Sequence, residues 1–207
     1  MYRCGTAAQA CKSMSLGGAV WNGMGVMGVY VVQVIGGQEE SASEMIIKNA
    51  QDLVEDCFIP RHEFMYRKSG HWHCKLRKLF PGYVFVATDE PERVRAAIRR
   101  MPAFSRMLTT VGDTCLPLSP DEVSWIDSAT DAETHVMGMS EGIIEGDRVI
   151  VTRGPLRDLE ANIIKIDRHK RLAWVDMDMC GRSKTIRVGL EIVSKMPRLH
   201  SSAQGEL

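Results

Sequence analysis

Gly146-Asp147-Arg148-Val149-Ile150-Val151, then Gly154-Pro155-Leu156, then Ile163-Ile164-Lys165-Ile166-Asp167: this run reads as two short strands joined through a sharp turn. Val149 and Val151 alternate toward one side, as strand side chains with a period of two must, and Gly154-Pro155 turns the chain out of the first strand. Strand-like stretches recur at 147–152, 161–167, 172–176 and 183–188, separated by polar or glycine turns. Short strands at this density predict a small all-β barrel over residues 146–195.

Upstream, residues 129–145 are dominated by Ala, Thr, Asp, Glu, Gly and Ser without periodicity and read as a linker. Before them the pattern changes again. Val29-Tyr30-Val31-Val32-Gln33-Val34-Ile35 is a buried strand, and Tyr83-Val84-Phe85-Val86-Ala87 is the strongest strand signal in the chain. Further strands are expected over 57–67, 72–79 and 104–110. Helices are expected over 40–53, from Pro91 with Val94, Ile98 and Met101 repeating, and from the capping box Ser119-Pro120-Asp121-Glu122. The order β-α-β-β-β-α-β-α predicts an α+β domain over 28–128, an α/β sandwich with helices on a largely antiparallel sheet. Residues 1–27 read as an unstructured leader, with Met24 or Met27 as the translation start, and 196–207 as a frayed tail.

The 26 Lys/Arg and 26 Asp/Glu give a net charge of zero, which taken whole argues against a nucleic-acid partner. Divided at Gly146 the balance changes. Residues 1–145 hold 14 basic and 18 acidic side chains, net −4, while residues 146–198 hold 12 and 7, net +5. A small basic module follows a larger acidic one.

The six cysteines form no CxxC pair, which fits a reducing compartment, the cytoplasm, better than a disulfide framework. Cys57, His62, His71, His73 and Cys74 do not make a metal site, because alternation sends His71 and His73 to one face and Cys74 to the other. Residues 13–38 lack charge, yet their seven glycines with Asn22 and Gln33 make a poor membrane span and a poor secretory signal. Glycines 23, 25 and 28 form GxGxxG by spacing alone, with no strand before them, and the histidines have no Ser, Cys or paired-carboxylate partner. An enzyme, and with it a cofactor, is not expected.

The block 146–156 with Ile163–Asp167 resembles a KOW motif, and Cys180-Gly181-Arg182 with Val188-Gly189-Leu190-Glu191-Ile192-Val193 resembles the closing strands of such an SH3-like domain in the NusG family. The strand at 29–35, Phe80-Pro81-Gly82-Tyr83-Val84-Phe85-Val86 and the capped helix at 119 resemble that family's N-terminal (NGN) domain. Within the family, residues 166–172 and 188–193 are most similar to the specialised LoaP antiterminators. Two positions depart from general members: Leu156 stands where a phenylalanine is usual after Gly-Pro, and Ala161 where the KOW glycine is usual. The first weakens any link to a ribosomal protein or the Rho factor. The second requires a turn that avoids positive φ or bears a little strain.

The resemblance implies a monomeric, non-catalytic transcription elongation factor whose N-terminal domain docks on the clamp helices of bacterial RNA polymerase. By position, Tyr30, Phe80, Pro81, Tyr83 and Phe85 are that surface or its support, and for Phe80 and Tyr83 docking and core remain equal alternatives. Arg95, near the start of its helix, occupies the place from which specialised relatives touch the opposite pincer or non-template DNA; a solvated basic face is the alternative. Arg153, Arg157, Lys165, Arg168, His169, Lys170, Arg171, Arg182 and Lys184 are expected to converge on a nascent RNA hairpin, since Trp174 is the barrel's one aromatic and is expected in its core. The reading is antitermination of specific long operons. The alternatives are a general factor coupling transcription to translation or to Rho, and a plain RNA-binding KOW protein, which would not need the 80–86 block.

Overall fold

The computed structural model describes residues 27–101 and 105–196; the expected leader before Met27, the start of the strand expected at 104 and the tail after Met196 lie outside them. Strand β1 (Gly28–Gln33) is the centre of the first sheet. It runs antiparallel to β5 (Tyr83–Thr88), with Val31 opposite Phe85, and to the short β6 (Arg106–Met107), while β2 (Asp56–Phe58) borders β5. The order is β2-β5-β1-β6, antiparallel throughout. Alternation gives this sheet two apolar faces. Tyr30, Val32, Val84 and Val86 meet Ala42 and Ile46 of helix α1 (Glu39–Ala50) and Val94 and Ile98 of helix α2 (Pro91–Ile98). Val29, Val31 and Phe85 belong to a different cluster on the other side.

The expected strand over 57–67 is two strands, because Pro60 has no N–H for a ladder and breaks the run. After it, β3 (Arg61–Lys68) and β4 (His71–Lys78) form a hairpin whose two loop residues, Ser69 and Gly70, have φ of 52° and 85°. That left-handed pair marks a type I′ turn and sets Lys68 opposite His71. The hairpin does not join the first sheet as expected. It makes a separate three-stranded sheet, β4-β3-β7, with β7 (Val136–Met137) parallel to β3.

The second domain is a five-stranded sheet of order β10-β11-β12-β8-β9, built from β8 (Ser140–Glu145), β9 (Arg148–Arg153), β10 (Ile163–Asp167), β11 (Leu172–Met179) and β12 (Arg182–Met196). The segment expected as a linker thus supplies β7 to one sheet and β8 to another. Strand β8 pairs parallel with the end of β12 and antiparallel with β9. At Gly142 the strands approach so closely that a Cβ would lie 2.8 Å from the Ile150 carbonyl oxygen. Ala161 sits in a 3-10 turn, Glu160–Asn162, and is not among the residues with positive φ. Ala173 and Val175 point into the apolar interior, so Trp174 between them faces out; it is half-buried under Lys165, 5.0 Å from the ring centre, and is not a core residue.

The two domains pack together. Helix α3 (Pro120–Ala129) opens with both capping-box bonds, Glu122 N–H to Ser119 Oγ at 3.3 Å and Ser119 N–H to Glu122 Oε2 at 2.6 Å. The other Glu122 oxygen accepts the Cys180 N–H of the barrel at 2.7 Å. One apolar cluster runs from Val29, Phe80, Phe85 and Ile126 into Leu156, Val175, Ile186 and Leu190. At its edge the Arg171 guanidinium lies 4.1 Å above Trp72 and the Lys184 ammonium 5.2 Å above Tyr83. Such cation–π contacts contribute about 0.5–1 kcal/mol each where exposed. Burying one large apolar side chain contributes about 1.5–3 kcal/mol, so apolar burial carries the junction and the cations set its register.

Gly189 is the tightest point of the junction. A Cβ there would fall 2.0 Å from Met139 Sδ and 2.8 Å from the Glu63 carbonyl oxygen of β3. Gly189→Ala is therefore expected to part the domains while leaving each folded. Small-angle scattering should show a larger radius of gyration for the variant, with the circular-dichroism spectrum unchanged; an unchanged radius would show that the junction tolerates the methyl group.

Candidate nucleic-acid interface

The basic side chains expected to converge on RNA divide between the two ends of the barrel. Arg168, His169 and Lys170 are exposed on the β10–β11 turn. Lys170 N–H bonds Asp167 at 3.0 Å, and its ammonium lies 3.6 Å from the same carboxylate, which orders the turn and holds Asp167 below the usual carboxylate range. Arg153, at the end of β9 and opposite Glu141, shares this end of the sheet; Arg157, in the loop that follows, is also exposed. Arg182 and Lys184 lie at the far end, beyond the Cys180-Gly181 turn and eight residues of β11. Arg171 and Lys184 are engaged: Arg171 pairs with Glu191 at 3.0 Å and covers Trp72, and Lys184 covers Tyr83.

A second group emerges on the outer barrel face. Lys165, Trp174 and Arg187 are neighbours across β10, β11 and β12, since Trp174 pairs with both Lys165 and Arg187. Arg187 was missed by reading loops for basic clusters, because its signal lies in strand register. It also lines a cleft of about 590 Å³ between the domains with Arg61, Arg77, Lys78 and Glu40.

The residues expected on the polymerase-facing surface are not all exposed. Tyr30, 8% exposed, lies on the face covered by helices α1 and α2 and supports the sheet. Phe80 and Phe85 are buried in the cluster that continues into the barrel, and their rings meet with centres 5.4 Å apart. Tyr83 is half-buried against that cluster, and Pro81 is exposed beside it. Arg95, 7% exposed, is consumed by hydrogen bonds to the Asp113 carboxylate and carbonyl and by Glu92 at 3.1 Å. It pins the 110–114 turn to α2; the exposed Arg99 also reaches the Asp113 carboxylate, at 3.4 Å, and Arg100 is exposed beside it at that helix end.

Glu39 positions the 80–83 loop, and nothing in its local sequence singles it out. The side chain is 1% exposed and accepts from Lys78 Nζ at 2.6 Å, Gly82 N–H at 2.7 Å and Gly37 N–H at 2.8 Å. Gly82 needs its glycine at φ 84°. Burial alone would raise the Glu39 carboxyl; the bonds from Lys78 and Gly82 outweigh it and hold the carboxyl below its ordinary range. A depressed carboxylate stabilises the fold above its unfolded pKa of about 4.3 and loses that contribution as pH falls through the lower folded value. Glu39→Gln should cost roughly 2 kcal/mol at neutral pH, since it weakens the charged hydrogen bonds from Lys78 and Gly82 while Lys78 keeps Glu40 at 2.6 Å. Urea denaturation should show the gap between variant and parent shrinking below pH 4.

Among the described residues no three His, Cys, Asp or Glu side chains gather as a metal site, and no helix is long and apolar enough to cross a membrane. Residues 28–127 match the family model described as transcription termination factor nusG, and residues 145–175 match the KOW motif. The transcription termination/antitermination protein NusG of Thermus thermophilus is 28% identical over 183 residues, covering 80% of this chain and 97% of its own. Those of Staphylococcus carnosus and Haemophilus influenzae are 26% and 24% identical, covering 81% of this chain and 94% and 93% of their own. A solved structure titled "Domain interaction in Thermotoga maritima NusG" aligns at 24% identity with a TM-score of 0.49, covering 80% of this chain and 94% of that one. With an α+β domain and a small β-rich domain matched in this order, the chain belongs to the NusG family of transcription termination/antitermination factors, as an NGN domain followed by a KOW domain.

Proposed function

We propose that this protein is a specialised, non-catalytic antitermination factor that docks on bacterial RNA polymerase through the NGN surface around Tyr83 and reads a hairpin in nascent RNA through the KOW domain. The observation that carries the RNA half is the exposed Arg168-His169-Lys170 turn, with Arg153 at the same end of the barrel. Cations at strand ends reach phosphates without stacking, which suits a folded stem better than an open strand. Leu156 is fully buried, so it offers no apolar contact to a ribosomal or Rho partner, and this favours the specialised reading over the coupling one.

Docking also has a cost in this arrangement. Phe80 and Phe85 lie in the cluster shared with the barrel, and Tyr83 lies under Lys184. Polymerase and barrel therefore compete for one face, and apparent affinity falls by the fraction of molecules that are open.

Two measurements test this. Fluorescence anisotropy with a stem-loop RNA should show Arg168→Glu/Lys170→Glu binding weakly and its salt slope reduced by about two; Arg171 is kept, because reversing it would break the junction. Unchanged affinity at moderate salt would refute the barrel as the RNA reader. Gly189→Ala should bind core RNA polymerase more tightly than the parent and raise terminator read-through in a single-round transcription assay, while Tyr83→Ala should weaken both. Equal binding by all three would remove Tyr83 from the docking surface.

A further inference from the structure

The net charge of −4 over residues 1–145 is itself a sum. The β3–β4 hairpin, residues 61–78, holds six Lys/Arg and one Glu, net +5, against eight basic and seventeen acidic side chains in the rest, net −9. This strongly basic element leaves the first sheet and stands beside the barrel.

Its two faces differ. Trp72 and Glu63 share one face and turn to the barrel side: Trp72 meets Arg171, and Glu63 Oε2 accepts the Met139 N–H at 3.1 Å. On the opposite face Phe64 pairs with Lys75 and Tyr66 with His73. The Phe64 and Tyr66 rings are 6.4 Å apart and within 9° of parallel, and the His73 ring is 5.4 Å from Tyr66. The Arg77 guanidinium lies 3.7 Å over Phe64 and the Lys75 ammonium 5.0 Å over Tyr66. Lys68, His71, His73, Lys75 and Arg77 are exposed, and the two rings are half-exposed, outside both apolar clusters; Arg77, at the base of this face, also borders the cleft toward the barrel. At the hairpin's base Lys78 and Arg61 are neutralised by Glu39 and Glu40, but no ion pair is recorded for Lys68, Lys75 or Arg77 among the described residues.

We propose that this outer face, built from Phe64, Tyr66, His73, Lys75 and Arg77, is a second nucleic-acid surface that binds an unpaired polynucleotide strand by stacking, separately from the barrel. Half-exposed parallel rings flanked by cations are what single-strand binding requires: bases stack on rings and guanidinium planes while lysines neutralise phosphates. A duplex keeps its base faces stacked on one another and would leave the rings unused. An acidic peptide would use the cations and gain little from two parallel rings. Stacking on the rings and neutralisation of phosphates do not depend on the sugar, so DNA and RNA strands are expected to bind alike.

The test uses the full chain with labelled dT15, rU15 and a 15-bp DNA duplex at 50 and 200 mM salt. Phe64→Leu/Tyr66→Leu keeps apolar bulk at both positions, and its thermal midpoint verifies folding. It should weaken dT15 and rU15 alike by at least about tenfold, within the 1–3 kcal/mol per base that stacking contributes, with little change in salt slope. Lys75→Glu/Arg77→Glu should lower the salt slope by about two. In an Arg168→Glu/Lys170→Glu background the ring substitutions should have the same effect, which separates this surface from the barrel's. Unchanged strand binding by the folded ring variant, equal affinity for the duplex at 200 mM salt, or equal competition by polyglutamate would overturn the proposal.

Discussion

Helices α1 and α2 cover one face of the four-stranded sheet; the other, lined by Val29, Val31 and Phe85, is too apolar to meet water. Helix α3 brings Ile126 and Ala129 to that side, and the barrel contributes the rest of the same cluster. The need to cover this face explains why a domain that could have been independent is packed down. It also explains why Glu122, a helix cap by sequence, reaches across to the Cys180 N–H.

The electrostatic layout follows a similar economy. Two basic elements, the β3–β4 hairpin and the barrel, are set in an acidic remainder, and a basic cleft lined by Arg61, Arg77 and Arg187 lies between them. Clefts of one sign concentrate field lines and raise local counter-ion concentration, so this geometry favours polyanions over the chain's neutral average. The acidic side chains serve structure instead: Glu39 holds the 80–83 loop, and Asp113 and Glu92 immobilise Arg95.

Local patterns were readable before the structure. Alternation located β1, β5 and the barrel strands from β9 to β12; Ser119 with Glu122 located α3; the resemblance of the two blocks pointed to the family. What escaped the sequence depends on partners far along the chain. Glu39 and Gly82 are 43 residues apart, and nothing near Glu39 distinguishes it from Glu40 or Glu44. Arg95 looks like one of four helix arginines until Asp113 folds back on it. The polar composition of 129–145 suggested a linker, yet Ser140–Glu145 finds both β9 and β12 as neighbours and becomes a strand. Trp174 shows the limit of apolarity as a guide, since register placed it outside while its smaller neighbours went in.

Only Gly138 and Met139 separate β7, which belongs to the hairpin's sheet, from β8, which belongs to the barrel. Two residues span about 7 Å, so while β7 stays paired the domains part only as far as that short tether allows. Peeling Val136 and Met137 from Arg61 and His62 extends the tether to residues 130–139, roughly 35 Å when stretched. Even then the barrel stays at an effective concentration of order millimolar beside the face it covers. Whatever displaces it faces a competitor that dilution cannot remove, so the balance between covered and uncovered chains is independent of how much of the protein is present.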